Sequence, residues 1–186
     1  MLALPLSLTV LRLLLGPLAI AFAEVHFPRI AFVPLLAAGI LSDYFDGVLA
    51  RRLGVARPWL RRFDSLTDVI FYVCILISTC LVAGDVVRRS LWPLCLLLGS
   101  EAACLGVSLA RFRVLPATHC YSAKVYGLVL FLSFLAVLGF GLGARVFTAL
   151  TVVGLTANAE VMAILLLSST APVDVLTVFH LERTAA

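Results

Sequence analysis

The sequence predicts an all-α, polytopic membrane protein, a bundle of six transmembrane helices folded as one domain over residues 1–186. Hydrophobic residues make up 63% of the chain and charged residues 13%, where a soluble domain holds about half and about a quarter. The apolar residues fall into long runs, each able to cross a bilayer as a helix of roughly 20 residues. Between the runs lie short stretches rich in Arg, Asp, Gly and Pro, with no soluble domain, repeat or low-complexity linker among them. The net charge of +4 points by itself to neither nucleic acid nor an acidic substrate, and no nucleic-acid partner is expected.

The first span is expected over roughly Thr9 to Ala23. Ala21-Phe22-Ala23 resembles the end of a cleaved signal peptide, but the segment lacks a basic start and Arg12 interrupts its apolar run, so it is read as retained. Arg12 there has two readings, a functional cation near one membrane face or simple snorkelling to head groups. After a short loop with Pro28, the second span runs from about Ile30 to Leu49. Pro58 closes the next, basic loop and suits a first helical turn. The third span then extends from near Trp59 to Ala83. Gly84-Asp85 and Arg88-Arg89 mark a turn, and the fourth span covers about Leu91 to Ala110. Its interior Glu101 stands alone, which favours packing or a homodimer contact over catalysis. A loop from Arg111 to Lys124 leads to a fifth span, roughly Val125 to Leu142, and a sixth, roughly Val146 to Leu167. Asn158 and Glu160 in the sixth span have no assigned part, and Ala171 to Ala186 reads as a mixed polar tail outside the bilayer. The five cysteines form no metal-binding or catalytic pattern and read as small packing residues. The three histidines share no common spacing, and the chain holds no glycine-rich phosphate loop or serine-hydrolase motif.

The chemistry is concentrated between Asp43 and Asp68, which hold four of the ten acidic residues. Asp43 and Asp46 are three apart and Asp64 and Asp68 four apart, so on helices each pair shares a face. Gly47, Ala50 and Arg51 continue the stripe of Asp43. Four clustered carboxylates near lipid require positive charge. Hard divalent ions with oxygen ligands answer that need, and a bridged metal pair is a known device for in-line attack at phosphorus. Small residues let a nucleotide approach the backbone, and an arginine pairs with phosphate. The plainer alternative is two helix-end charge clusters in water, salt-bridged to neighbouring arginines. Two in-phase pairs with Gly, Ala and Arg favour the site.

The run Asp-x2-Asp-Gly-x2-Ala-Arg, then eight residues, Leu60, x3, Asp64, x3, Asp68 resembles the motif of the CDP-alcohol phosphotransferase family. Seven of its eight positions match, and Leu60 stands where the family has glycine. Pro5-x2-Leu8-Thr9-x2-Arg12 is similar to the family's opening segment. The resemblance implies an integral membrane enzyme of phospholipid synthesis. It would transfer the phosphatidyl group of a CDP-linked lipid, most often CDP-diacylglycerol, to an alcohol acceptor such as a polyol phosphate, releasing CMP. Carried over, it assigns Asp43, Asp46, Asp64 and Asp68 to two magnesium or manganese ions, with Asp68 also the general base. Gly47, Ala50 and Arg51 would line the nucleotide site, with Thr9 and Arg12 as further nucleotide contacts. Arg111, Arg113 and Lys124 are the basic residues placed to bind a phosphorylated acceptor, or they merely follow the charge rule for loops. Two other classes remain open, an aspartate-rich intramembrane prenyltransferase and a non-catalytic, metal-binding membrane protein or ion carrier.

With six spans, the motif-side loops carry Arg51, Arg52, Arg57, Arg61, Arg62, Arg111, Arg113 and Lys124, and the opposite loops Arg29, Arg88, Arg89 and Arg145. That asymmetry puts the motif on the cytoplasmic side of what is expected to be a bacterial cytoplasmic membrane. A cysteine placed in the Arg51 to Pro58 loop of a cysteine-free variant should therefore resist an impermeant thiol reagent added outside intact cells. Labelling from outside would invert this topology.

Overall fold

The computed structural model describes residues 3–52, 58–116, 118, 120–172 and 175–179. It is all-helical over these residues, with α1 (Ala3–Glu24), α2 (Phe32–Arg52), α3 (Pro58–Val82), α4 (Gly84–Arg89), α5 (Leu91–Phe112), α6 (Tyr121–Phe134) and α7 (Arg145–Leu167). A 3-10 turn, Arg29–Ala31, leads into α2, and a π-helical turn, Leu135–Gly139, continues α6. Among the described residues, four stretches are long and apolar enough to cross a membrane, Leu6–Glu24, Leu91–Phe112, Tyr121–Gly139 and Arg145–Leu167. A shorter apolar helix covers Leu66–Val82. The second and third expected spans correspond to α2 and α3, 21 and 25 residues long, whose motif-bearing parts include side chains outside the described residues. The turn expected at Gly84 to Arg89 is instead the short helix α4, with Asp85 in its first turn and Arg88 and Arg89 in its last, the placement that suits the helix dipole. Tyr121 to Lys124, expected in a loop, already belong to α6.

The chain forms two compact units, Met1–Val87 with Phe134–Gly143, and Arg88–Ser133 with Ala144–Ala186. In the first, α1 packs on both α2 and α3. Its core holds Ala19, Ala23, Phe32, Leu35, Leu36, Phe71, Ile75, Val137 and Leu138. Small residues bring the backbones together, as in other membrane helices. A Cβ on Gly16 would lie 3.1 Å from Cys74 Cβ and Sγ, and one on Gly39 would lie 2.6 Å from Phe71 Cζ. Arg29 ties the end of α3 to the π-helical turn, donating from Nη1 to the Val137 carbonyl at 3.1 Å and from Nη2 to the Val82 carbonyl at 3.3 Å. Apolar side chains such as Leu14, Val69 and Val73 face outward, as a lipid-facing surface requires.

In the second unit α5 packs on α7, where a Cβ on Gly154 would lie 2.3 Å from Leu97 Cδ1. The polar residues of this unit find partners within it. Tyr126 donates its hydroxyl to Glu101 Oε1, so Glu101 has a partner within its own unit. Asn158 Nδ2 donates to Ser100 Oγ at 2.8 Å. Cys104 and Cys120 are buried in a cluster with Val161, Ile164 and Leu165, and all five cysteines are free. The described part of the C-terminal tail is not merely polar. Val175 and Val178 pack on that cluster, Leu176 accepts from the Tyr121 amide at 3.1 Å, and the Val178 amide donates to Glu160 at 3.4 Å.

Gly39→Ala should destabilise the first unit by about 1–3 kcal/mol, the usual cost of overpacking a filled core. Phe71, buried at 3% exposure, has little room to move. Thermal unfolding in detergent would show it as a lowered midpoint, and an unchanged midpoint would mean that α2 and α3 can part at no cost.

Candidate active site

Three helices of the first unit each contribute polar residues at helical spacing. On α1, Thr9 and Arg12 are three apart and lie on one face, both 1% exposed. On α2, Asp43 and Asp46 are likewise three apart and share a face, within the last three turns of the helix. On α3, Asp64 and Asp68 occupy the early turns after Pro58, which takes up the first helical position as its fixed φ allows. The three faces meet.

They meet on a single guanidinium. Arg12 Nη1 lies 3.1 Å from Asp43 Oδ1 and 3.2 Å from Asp64 Oδ1, and it donates to Asp68 Oδ1. Nη2 donates to Asp46 Oδ2 at 2.5 Å, and that oxygen also accepts from Thr9 Oγ1 at 3.3 Å. Arg12 does not snorkel to the membrane surface. It is a counter-charge that all four motif aspartates share, one guanidinium among four carboxylates in the described ion pairs. Exposure is graded across it: the Asp46 side chain is 5% exposed, Asp64 31%, Asp68 37% and Asp43 48%. The cluster thus has a closed end at Thr9 and Asp46 and an open end at Asp43.

The open end suits a metal. Asp43, Asp64 and Asp68 each offer a carboxylate oxygen, all within 4.8 Å of one another. An all-oxygen, carboxylate set selects hard divalent ions such as magnesium or manganese. Asp46 lies outside this group of three, held by Thr9 and Arg12. The sequence alternative of carboxylates paired with arginine describes the contacts seen, with a buried arginine of α1 as the partner, while the side chains of the neighbouring Arg51, Arg52, Arg57, Arg61 and Arg62 lie outside the described residues. The spacing of Thr9 and Arg12 in an otherwise uncharged run was the signal for it, since a cation inside the membrane needs acidic partners.

Gly47, Ala50 and Arg51 follow Asp43 in register on the helical backbone of α2. Their side chains, that of Leu60 and the loop 53–57 lie outside the described residues. Arg111, Arg113 and Lys124 belong to the second unit. Arg111 caps the C-terminus of α7, donating to the carbonyls of Leu165 at 2.7 Å, Leu166 at 2.6 Å and Ser168 at 3.3 Å. Arg113 ends α5 in a left-handed conformation, with φ of 57°. Lys124 Nζ lies over the Tyr121 ring, 5.3 Å from its centroid.

The family model of CDP-alcohol phosphatidyltransferase matches residues 2–176. The chain belongs to the CDP-alcohol phosphatidyltransferase family. Its motif residues Asp43, Asp46, Asp64 and Asp68 are the four that converge on Arg12. A CDP-diacylglycerol–serine O-phosphatidyltransferase from Mycobacterium leprae (strain TN) is 35% identical over 118 residues, covering 60% of this chain. The chain spans only 36% of that relative's length. No solved structure matches the chain.

Arg12→Ala should destabilise this family member by about 3–5 kcal/mol, the usual cost of breaking a buried ion pair from one side. Asp43→Ala, at the open end, should cost far less. Denaturant unfolding in micelles without added metal would test the pair, and equal losses would show that Arg12 does not hold the helices together.

Proposed function

We propose that the chain transfers the phosphatidyl group of a CDP-linked lipid, CDP-diacylglycerol, to an alcohol, releasing CMP, in phospholipid synthesis. The convergence of four carboxylates from α2 and α3 at one partly open point supports this reading most directly. Both alternative classes leave the in-phase Gly47, Ala50 and Arg51 unexplained, and the family match favours neither.

Asp43, Asp46, Asp64 and Asp68 would hold the two divalent ions, magnesium or manganese. When bound, those ions supply positive charge to the pyrophosphate and to the charge that develops on it, usually the largest contribution in phosphoryl transfer. Asp68 takes the proton from the acceptor hydroxyl. That oxygen forms its bond to the lipid-side phosphorus as the bond from that phosphorus to the bridging oxygen breaks, and CMP leaves with the electron pair. Gly47, Ala50 and Arg51 line the nucleotide site, and Thr9 closes its inner end through Asp46. The acceptor is a small hydroxyl compound. Arg111, Arg113 and Lys124 remain the candidates for a phosphorylated acceptor on their sequence positions, and Arg111 would bind one only by giving up the end of α7. Serine is the acceptor named for the mycobacterial relative. The whole chain acts as one catalytic domain, and the excess of basic residues beside the motif supports a site facing the cytoplasm.

Purified protein incubated with CDP-diacylglycerol and either serine or polyol phosphates should release CMP with one class of acceptor. Release of pyrophosphate from a prenyl substrate, or metal flux without any nucleotide, would replace this reading. Asp68→Asn should cut turnover by more than about tenfold, a loss of over 1.4 kcal/mol of transition-state stabilisation, while the protein still inserts. Retention of more than a tenth of wild-type turnover would remove Asp68 as the base.

A further inference from the structure

Among the described residues, one buried side-chain polar atom has no hydrogen-bond partner, and it is Nε of Arg12. The other end of the same guanidinium is crowded. Nη1 carries two N–H groups, yet the carboxylates of Asp43, Asp64 and Asp68 all gather on it. A buried arginine with a purely structural task has its donors spread over acceptors, because each idle buried donor costs stability. Here one nitrogen does the work of a point charge while another is idle. The same three residues also form the group whose carboxylates have metal-binding spacing.

We propose that Arg12 is a resident counter-ion that exchanges with the divalent metal: the guanidinium and the ion are alternative occupants of Asp43, Asp64 and Asp68. This rests on the reading of the cluster as a metal site. Magnesium binds oxygen at about 2.1 Å, so any two of its ligands lie within about 4.2 Å of one another. Oxygens now spread over as much as 4.8 Å would draw in around the ion. Nη1 already lies 3.1 Å from Asp43 Oδ1 and 3.2 Å from Asp64 Oδ1, so a metal held by these carboxylates would bring two cations close together.

The exchange is favourable in charge. A divalent ion brings two positive charges where the guanidinium brought one, to a cluster of four carboxylates. A monovalent ion would bring no more than it displaced and would forfeit the arginine's hydrogen bonds, so the resident arginine also makes the site selective for divalent ions. The released guanidinium, with Nε already unpartnered, then has donors ready for a phosphate oxygen.

Manganese binding to the full-length protein in detergent, followed by loss of the free-ion EPR signal, tests this without reference to activity. Removing a competitor that occupies the site about nine-tenths of the time tightens apparent binding about tenfold. Arg12→Gln should therefore bind manganese about tenfold more tightly than wild type, and manganese should raise its melting midpoint by more. Arg12→Lys, a point charge that reaches fewer carboxylates, should give a smaller gain of about threefold. It carries the test alone if Arg12→Gln does not fold. Variants that bind manganese no more tightly than wild type overturn the exchange and leave the metal site standing. No binding by wild type or by either variant overturns the metal site and the exchange together.

Discussion

The first unit depends on the neutralisation of buried negative charge. A carboxylate withdrawn from water costs several kcal/mol unless an opposite charge and hydrogen bonds receive it. Four of them come from two helices, and one guanidinium from a third helix meets them all. The packing of α1 on α2 and α3 and the assembly of the candidate active site are therefore one event. Gly16 and Gly39 allow the helices close enough for it, since a methyl group at either would press on Cys74 or Phe71. A chain that packed these helices without Arg12 would leave Asp46, the buried member of the four, without its counter-charge.

The second unit solves the same problem with neutral hydrogen bonds. Glu101 takes the Tyr126 hydroxyl, Asn158 bonds to Ser100, and Arg111 spends its charge on the carbonyls that end α7. The contrast locates the chemistry. Among the described residues, the group of carboxylates with metal-binding spacing lies in the first unit.

Much of this was legible in the chain. Apolar run lengths set the helices, and the boundaries differ by a few residues where helices fray or where Arg29–Ala31 and Leu135–Gly139 depart from α geometry. The helix α4 was missed because Gly84 and the charges after it carry the composition of a turn, although their order also suits a short helix. The tail was misjudged because Val175 and Val178 are too few to form a periodic pattern, and their packing depends on a surface built by other helices.

By itself, the sequence determined which residues share a helix face. Spacing along a helix is fixed by its geometry, so Asp43 with Asp46, Asp64 with Asp68 and Thr9 with Arg12 could be paired from their numbers alone. It also determined the family, through a motif whose residues must recur in order. Only the tertiary structure decided that Arg12 is the partner of all four aspartates, that Asp46 sits at the closed end, and that Asp43, Asp64 and Asp68 form the metal-spaced group. Those relations depend on how three helices rotate and approach, and that is set by side chains distant in sequence, Gly39 against Phe71 and Gly16 against Cys74.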